Sequence, residues 1–216
     1  MKVGTDAVLL GSWVNTSHIN SILDIGTGTG IIALMLAQKS TAMIDAIDID
    51  QNAYEQASEN VAASKWNHRI KVYHTPLQQF ANEHKYDLIV SNPPYFVDSS
   101  KALEASRTFA RHTDQLAYDD LLAGVLRLLD PKGKFYVILP AKESELFRDL
   151  AEENKLFLTH LTRVVTRADK PEKRWLMKFE FIRKSFSEDS IVIEEDERHS
   201  YTEQYKELTK DYYLAF

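Results

Sequence analysis

Short apolar segments alternate with longer stretches of mixed character along most of the chain. Runs rich in Ile, Val and Leu predict strands over residues 20–25, 43–49, 70–74, 86–91, 135–139, 156–166 and 174–183. Helical spacing of apolar residues predicts helices over residues 31–38, 51–63, 118–129 and 143–154, and residues 131–133 predict a turn. Strands that alternate with helices are typical of βαβ units. The pattern therefore predicts an α/β fold with a seven-stranded, mainly parallel sheet and helices on both faces.

Composition narrows the classes of protein that this chain can be. Its 216 residues fit one domain, with an N-terminal loop and helix (1–19), an α/β core (20–184) and a C-terminal extension (185–216). The absence of cysteine excludes disulfides, iron–sulfur clusters and thiolate zinc sites, and the histidines lack metal-binding spacing, so we expect no metal. No apolar run is long enough to span a bilayer, and no signal-peptide pattern occurs. We therefore expect a cytoplasmic protein that does not bind a membrane.

Three glycines fall within five residues directly after the first predicted strand, at Gly26, Gly28 and Gly30. Their pattern, G-x-G-x-G, departs from the dinucleotide fingerprint G-x-G-x-x-G. Asp24 would repel a pyrophosphate and attract a cationic ligand such as S-adenosylmethionine, which carries an ammonium and a sulfonium. At the end of the second strand, either Asp48 or Asp50 could accept hydrogen bonds from ribose hydroxyls, because alternation places both on one side. The alternative is a capped turn without a ligand.

The fourth predicted strand ends in Asn92, Pro93, Pro94 and Tyr95. Because the prolines fix the backbone, the Pro93 carbonyl is held beside the Asn92 amide. These two acceptors could draw the hydrogens of a planar NH₂ group out of plane and direct its lone pair at an electrophilic methyl, while Tyr95 offers a stacking face. Positioning and electrostatics would then supply most of the rate. The alternative is an ordinary Asn-Pro turn. Parallel strands share one carboxyl edge, so this segment and the glycine loop belong together.

Charge is unevenly distributed in a chain whose net charge of −6 gives no global attraction to nucleic acid. Residues 163–184 are rich in Lys and Arg, whereas residues 185–216 are acidic. The basic run is either a solvated face or a local phosphate-binding patch. The candidate RNA-binding residues are Arg107, Arg111, Arg167, Lys170, Lys173 and Arg174. The first two could equally pair with Glu104 or Asp114.

The N-terminal segment precedes a helix that we predict over residues 7–13. Thr5 is a candidate N-cap for this helix. Its hydroxyl and the neighbouring N–H groups could instead, or in addition, hold the carboxylate of a ligand.

The whole chain resembles the bacterial tRNA1(Val) (adenine-37-N6)-methyltransferase family, within the Rossmann-like class I S-adenosylmethionine-dependent methyltransferases. The resemblance lies in residues 1–13, 87–95, 107–112 and 201–214. It implies methylation of adenine 37 in the tRNA anticodon loop, S-adenosylhomocysteine as the product, and no obligatory protein partner. It implies a catalytic role for Asn92, Pro93, Pro94 and Tyr95. The implied cofactor-binding residues are Lys2, Gly4, Thr5, Asp24, Gly26, Thr27, Gly28, Gly30, Asp48, Ile49, Pro76, Leu77 and Asn92.

The segment after the third strand departs from the methyltransferase pattern, which often has an acidic residue there for the adenine ring. Residues 75–77 contain no acid, and the Thr75 hydroxyl or the Leu77 N–H is the candidate replacement. Other amino groups, on ribosomal RNA, DNA or protein glutamine, are alternative targets. Glutamine enzymes usually have an upstream helical domain, for which the first strand near residue 20 leaves no room. A non-catalytic RNA-binding module is a further alternative, against which the intact Asn92–Tyr95 motif argues.

Overall fold

The computed structural model describes residues 4–94, 117–197 and 199–213. Within these residues, the strands are β1 (Ser21–Ile25), β2 (Met43–Asp48), β3 (Ile70–His74), β4 (Tyr86–Ser91), β5 (Leu129–Pro140), β6 (Phe157–Val165), β7 (Glu172–Glu180) and β8 (Ser187–Val192). The helices are α1 (Thr5–Trp13), α2 (Ile31–Lys39), α3 (Gln51–Ala62), α4 (Tyr118–Leu128), α5 (Ala141–Glu153) and α6 (Glu203–Thr209). The predicted helices and strands are present, and their ends lie within a few residues of those expected, except that β5 begins six residues earlier than predicted.

The described strands form one mixed sheet in the order β3-β2-β1-β4-β5-β7-β6-β8. Strand β7 is antiparallel to β5 and β6, and the other neighbouring pairs are parallel. The expectation of a mainly parallel sheet is confirmed. The chain builds the sheet outward from β1 in one direction and then restarts beside β1 with β4. Such a switch point opens a crevice at the carboxyl ends of the two central strands.

The central strands are apolar because both faces of the sheet are covered. Alternation sends Ile22 and Leu88 into a core that includes residues of α1 and α2, and Leu23 and Ile89 into a core that includes residues of α4 and α5. All four side chains are fully buried. Because helices cover both faces of the sheet, polar groups of the central strands reach solvent at the ends of the strands.

The expected count of seven strands is wrong, because residues 185–216 add an eighth strand to the described sheet. Strand β8 pairs in parallel with β6, although its first four residues are exposed. Helix α6 follows, and its Tyr205 is 2% exposed in the core beneath α1. The acidic segment is thus part of the fold as well as a charged surface. None of the helices in the described ranges combines the length and the apolar character that a membrane crossing requires.

Two local predictions differ from the structure. Residues 131–133 lie inside β5 and form no separate turn, and the register between β4 and β5 is irregular there. The Lys132 N–H donates to Asp130 Oδ1 (2.8 Å), which stabilises the irregular backbone. Thr5 is the first residue of α1 and not its cap, since Gly4 occupies the N-cap position without a side-chain hydrogen bond.

Helix α1 is attached to α2 by a lysine at its C-terminal end. Lys39 Nζ, in the last turn of α2, donates to the carbonyl oxygens of Gly11 (2.6 Å), Ser12 (2.9 Å) and Val14 (2.6 Å). A cation at the C-terminus of a helix satisfies carbonyls that have no intrahelical partner. The two helices thus end together at the amino edge of the sheet, and both begin at the carboxyl edge.

Candidate active site

The glycine loop connects β1 to α2 at the carboxyl edge of the sheet. The N–H groups of Gly26 and Thr27 donate to the Ile47 carbonyl of β2, at 2.9 and 3.0 Å. Gly26 has a φ of 70°, and a Cβ placed there would meet no atom within 4 Å. Gly30 has a φ of 77°, and its Cβ would lie 3.3 Å from that of Ala57. Gly26 therefore borders open space that a ligand can enter, whereas Gly30 allows the close approach of α2 and α3.

Asp24 lies beneath this loop and is fully buried. Its Oδ2 accepts a hydrogen bond from the Thr27 hydroxyl (2.6 Å). Its Oδ1 has no hydrogen-bond partner in the described part of the chain. Burial, reinforced by the nearby charge of Asp48, raises the pKa of the Asp24 carboxyl to about 7. A buried carboxylate with an unused oxygen is suited to a positively charged ligand, whose charge would favour its ionised form.

Asp48 and Asp50 have different roles, although sequence alternation could not separate them. Asp48 Oδ2 accepts from the Gly28 N–H (2.8 Å), and its Oδ1 accepts from the Asp50 N–H (3.0 Å). Asp50 is the N-cap of α3 and accepts from the Ala53 N–H (2.8 Å). Of these two aspartates, Asp48 is therefore the one whose side chain joins the end of β2 to the glycine loop. The next residue, Ile49, is 50% exposed and offers an apolar surface beside it.

The end of β4, where the Asn-Pro-Pro motif follows, is hydrogen-bonded to the end of β1. Ile25 and Ser91 are register partners, and Ser91 Oγ donates to the Ile25 carbonyl (2.9 Å). Asn92 is half-buried, Pro93 is buried and Pro94 is exposed. The start of the Asn-Pro-Pro motif is thus held next to the glycine loop, as the topology predicts. Tyr95, the last residue of the motif, lies outside the described residues.

The loop after β3 lies at the carboxyl edge of the sheet, beside the end of β2. The Thr75 N–H donates to the Asp48 carbonyl (2.9 Å). Arg127 of α4 donates to the carbonyls of Leu77 (2.7 Å) and Phe80 (2.6 Å), which fixes the loop from below. The Leu77 side chain is buried against Gly124, so only its backbone can meet a ligand. Arg127 was missed from the sequence because a helical arginine carries no signal of the carbonyls it will contact.

The N-terminus of α1 lies at this same edge. Arg174 pairs with Pro140, the last residue of β5. Its Nε donates a hydrogen bond to Asp6 Oδ2 in the first turn of α1 (2.8 Å). The first N–H groups of a helix have no intrahelical acceptor and attract anions. Gly4 and Thr5, which are predicted to hold a carboxylate, therefore lie at the start of this helix. Lys2 lies outside the described residues.

The basic candidates within the described residues differ in exposure and in their partners. Arg167 and Lys170 lie between β6 and β7 at the carboxyl edge, where each approaches Asp169 (3.9 and 3.1 Å). Lys173 is exposed, whereas Arg174 is half-buried and paired with Asp6. The positions of Arg107 and Arg111 lie outside the described residues. The described ranges contain no group of three side chains that could hold a metal ion.

These residues suit S-adenosylmethionine. The unused Asp24 oxygen matches the amino group of its methionine part, and the open space at Gly26 leaves room for that part. Asp48 retains acceptor capacity on both oxygens for a ribose, and Ile49 can cover an adenine ring. None of these features is required by the packing of the sheet alone, and each lies at the crevice where ligands bind in such folds.

Comparison with known proteins identifies the family of this chain. Residues 2–144 match the family model of the methyltransferase small domain. A protein of Parabacteroides distasonis named tRNA1(Val) (adenine(37)-N6)-methyltransferase is 47% identical over 99% of this chain and 91% of its own length. A protein of Bacteroides fragilis with the same name is 45% identical over the same shares.

A solved structure extends the comparison to the fold. A protein described as a predicted O-methyltransferase from Agrobacterium tumefaciens superposes with a TM-score of 0.76, at 17% identity, over 95% of this chain and 96% of its own. The likeness supports the α/β methyltransferase architecture described above. The chain therefore belongs to the tRNA1(Val) (adenine(37)-N6)-methyltransferase family and contains its methyltransferase small domain.

Proposed function

We propose that this protein transfers a methyl group from S-adenosylmethionine to N6 of adenine 37 in tRNA1(Val) and releases S-adenosylhomocysteine. One observation carries the proposal. The Asn92-Pro93 motif, which can hold a planar amino group, directly follows Ser91. The Ser91 hydroxyl is hydrogen-bonded to the carbonyl at the end of β1 (2.9 Å), where the cofactor loop starts. The family membership of the chain supports the identity of the target.

The residues after β4 act on the target base. The side-chain oxygen of Asn92 and the carbonyl of Pro93 accept hydrogen bonds from the two hydrogens of the adenine amino group. This geometry turns the nitrogen lone pair toward the cofactor, which supplies the electrophilic methyl group. Tyr95 stacks on the base, a contact worth about 1–3 kcal/mol. The methylated nitrogen is acidic and loses its proton readily, so the reaction needs no strong base and depends on positioning.

The cofactor is held by residues from four loops. Asp24 binds the amino group and Asp48 the ribose hydroxyls, while Gly26, Thr27, Gly28 and Gly30 form the loop beneath the methionine part. Ile49, Pro76 and the Leu77 backbone border the adenine ring. Lys2, Gly4 and Thr5 hold the carboxylate at the N-terminus of α1. The residues that border the adenine ring offer no carboxylate to it, so its recognition depends on backbone groups and apolar contact.

The RNA substrate is gripped locally. An adenine in a loop is unpaired, so turning it toward Tyr95 requires less energy than opening a duplex, where the penalty is a few kcal/mol. Arg167, Lys170 and Lys173 lie at or near the carboxyl edge that holds Asn92, and we assign them to phosphate contacts, together with Arg107 and Arg111. The proposed partner is thus the anticodon loop of a tRNA, in the bacterial cytoplasm, without an obligatory protein partner or a membrane.

The test is methyl incorporation from labelled S-adenosylmethionine into tRNA1(Val) transcripts that carry adenine or guanine at position 37. We expect label only in the adenine transcript, and none in ribosomal RNA, DNA or protein supplied in parallel. Asn92→Ala should abolish most of the turnover. Asn67→Ala, an exposed asparagine ahead of β3, is the matched control and should retain it. Methylation of another substrate, with the adenine transcript unlabelled, would contradict the proposal.

A further inference from the structure

Arg174 connects the start of β7 to the start of α1. Its Nε lies 2.8 Å from Asp6 Oδ2, and the two side chains are only 17% and 24% exposed. Its backbone pairs with Pro140, the last residue of β5, so the contact is at the carboxyl edge. A half-buried ion pair is less screened by solvent than a surface pair. Loss of one partner leaves the other charge without compensation in a poorly solvated place.

Because side chains alternate between the two faces of the sheet along β7, Arg174 lies on a different face from Lys173. Trp175 packs in the core that includes residues of α4 and α5, whereas Leu176 packs in the core that includes residues of α1. Arg174 shares the face of Leu176, and Lys173 points to the opposite face. The guanidinium therefore lies on the α1 side of the sheet, which explains its contact with Asp6. A basic residue in a sequence run of basic residues is here directed at an aspartate of the same protein.

Helix α1 is consequently held at both ends. Lys39 binds its last carbonyls at the amino edge, and Arg174 binds its first turn at the carboxyl edge. The position of its N-terminus matters because the first N–H groups of the helix, at Thr5 in particular, form the proposed carboxylate site. A helix N-terminus binds an anion well when the backbone is already ordered, since ordering it on binding would weaken affinity.

We propose that Arg174 is a positioning residue for the cofactor, which fixes the N-terminus of α1 through Asp6 so that it can receive the carboxylate of S-adenosylmethionine. The inference rests on the proposed function for the identity of the ligand. It assigns Arg174 to recognition of the amino-acid end of the cofactor and removes it from the RNA-binding set. The guanidinium does not touch the cofactor in this role, and its effect passes through the first turn of α1.

The experiment compares two ligands that differ only in the carboxylate. S-adenosylmethionine and decarboxylated S-adenosylmethionine are titrated into the wild-type protein and into Arg174→Met by calorimetry. The variant should bind S-adenosylmethionine about tenfold more weakly, as expected for coupled residues of one network. Its affinity for the decarboxylated ligand should stay within about twofold of wild type. Arg163→Met is the matched control, because Arg163 is also ion-paired but lies on the opposite face, over Trp175. It should alter neither affinity.

A double-mutant cycle isolates the contact itself. Asp6→Asn combined with Arg174→Met should weaken S-adenosylmethionine binding no more than Arg174→Met alone. Equal weakening of both ligands by Arg174→Met would overturn the inference in favour of a general structural role. A flatter salt dependence of tRNA binding, with cofactor affinity unchanged, would return Arg174 to the RNA contacts. A wild-type protein that binds neither ligand would overturn the proposed function itself, which these other outcomes leave intact.

Discussion

Replacing Asp24 by asparagine should stabilise the cofactor-free protein above neutral pH. The pKa of the Asp24 carboxyl is about 7 in the folded protein, compared with 3.8 for an ordinary aspartate. The folded state therefore keeps a proton that the unfolded chain loses. Stability linked to this group is fully present below pH 3.8, decreases as the pH rises toward 7, and remains reduced above it. The amide side chain of the Asp24→Asn variant cannot ionise, so this loss should disappear.

The size of the stabilisation by Asp24→Asn follows from the difference between the folded and the ordinary pKa of Asp24. Each pKa unit corresponds to about 1.4 kcal/mol, so the ionised Asp24 reduces the free energy of unfolding by about 4 kcal/mol at pH 8. The new amide places N–H donors where Oδ1 now lacks a partner, which costs about 1–3 kcal/mol. We expect Asp24→Asn to raise the free energy of unfolding by about 2 kcal/mol at pH 8, and to give no gain at pH 5, where less of the penalty has developed.

Urea unfolding of the cofactor-free protein at pH 5 and pH 8 measures this difference directly. Asp149→Asn is the control, because Asp149 is 65% exposed on α5. The stabilised Asp24→Asn variant should also bind S-adenosylmethionine more weakly, since the cofactor ammonium loses its counter-charge. The reasoning would be refuted by an Asp24→Asn protein that is no more stable than wild type at pH 8, or equally stabilised at both pH values.

Three further variants test other contacts. Asp48→Ala should weaken S-adenosylmethionine binding by about 1.5–3 kcal/mol through loss of hydrogen bonds to the ribose, and calorimetry that finds unchanged affinity would remove Asp48 from the site. Replacement of Arg167, Lys170 and Lys173 by glutamine should weaken tRNA binding and flatten its salt dependence without altering cofactor affinity. An unaltered salt dependence would argue against phosphate contacts by these side chains. Lys39→Met should lower the free energy of unfolding by about 2–3 kcal/mol because three carbonyls lose a charged donor, and a smaller loss than for the exposed control Lys132→Met would contradict that role.

Much of the fold was predictable because its strands are buried on both faces. Leu88, Ile89 and Val90 form a continuous apolar run that has no other plausible place than the centre of a sheet. The glycine loop and Asn92 follow such strands directly, so parallel topology alone brings them to one edge. Their proximity is confirmed by the bond between Ser91 and Ile25. The roles assigned to the individual residues are still predictions.

The parts that were mispredicted depend on tertiary contacts that leave no local pattern. Strand β8 is mostly exposed at the edge of the sheet, so its sequence, Ser-Glu-Asp-Ser-Ile-Val, has no apolar alternation and resembles a solvated tail. Thr5 satisfies the composition rule for a cap, yet Gly4 takes that position because the helix begins at Thr5, two residues before its expected start at residue 7. The contact of Arg174 with Asp6 could not be read from the basic run in which Arg174 lies, whereas its predicted contact with RNA stays a prediction.

The contact between α1 and α6 joins segments from opposite ends of the described chain, and Tyr205 of α6 is buried beneath α1. During synthesis, α1 leaves the ribosome long before α6 exists. Contacts of such large sequence separation form late and slowly. Helix α1, whose N-terminus is to hold the cofactor carboxylate, therefore acquires its full support only after α6 has been synthesised. A nascent chain can order the β1–β4 edge earlier, but it should gain the ability to bind its cofactor tightly only once α6 has docked on α1.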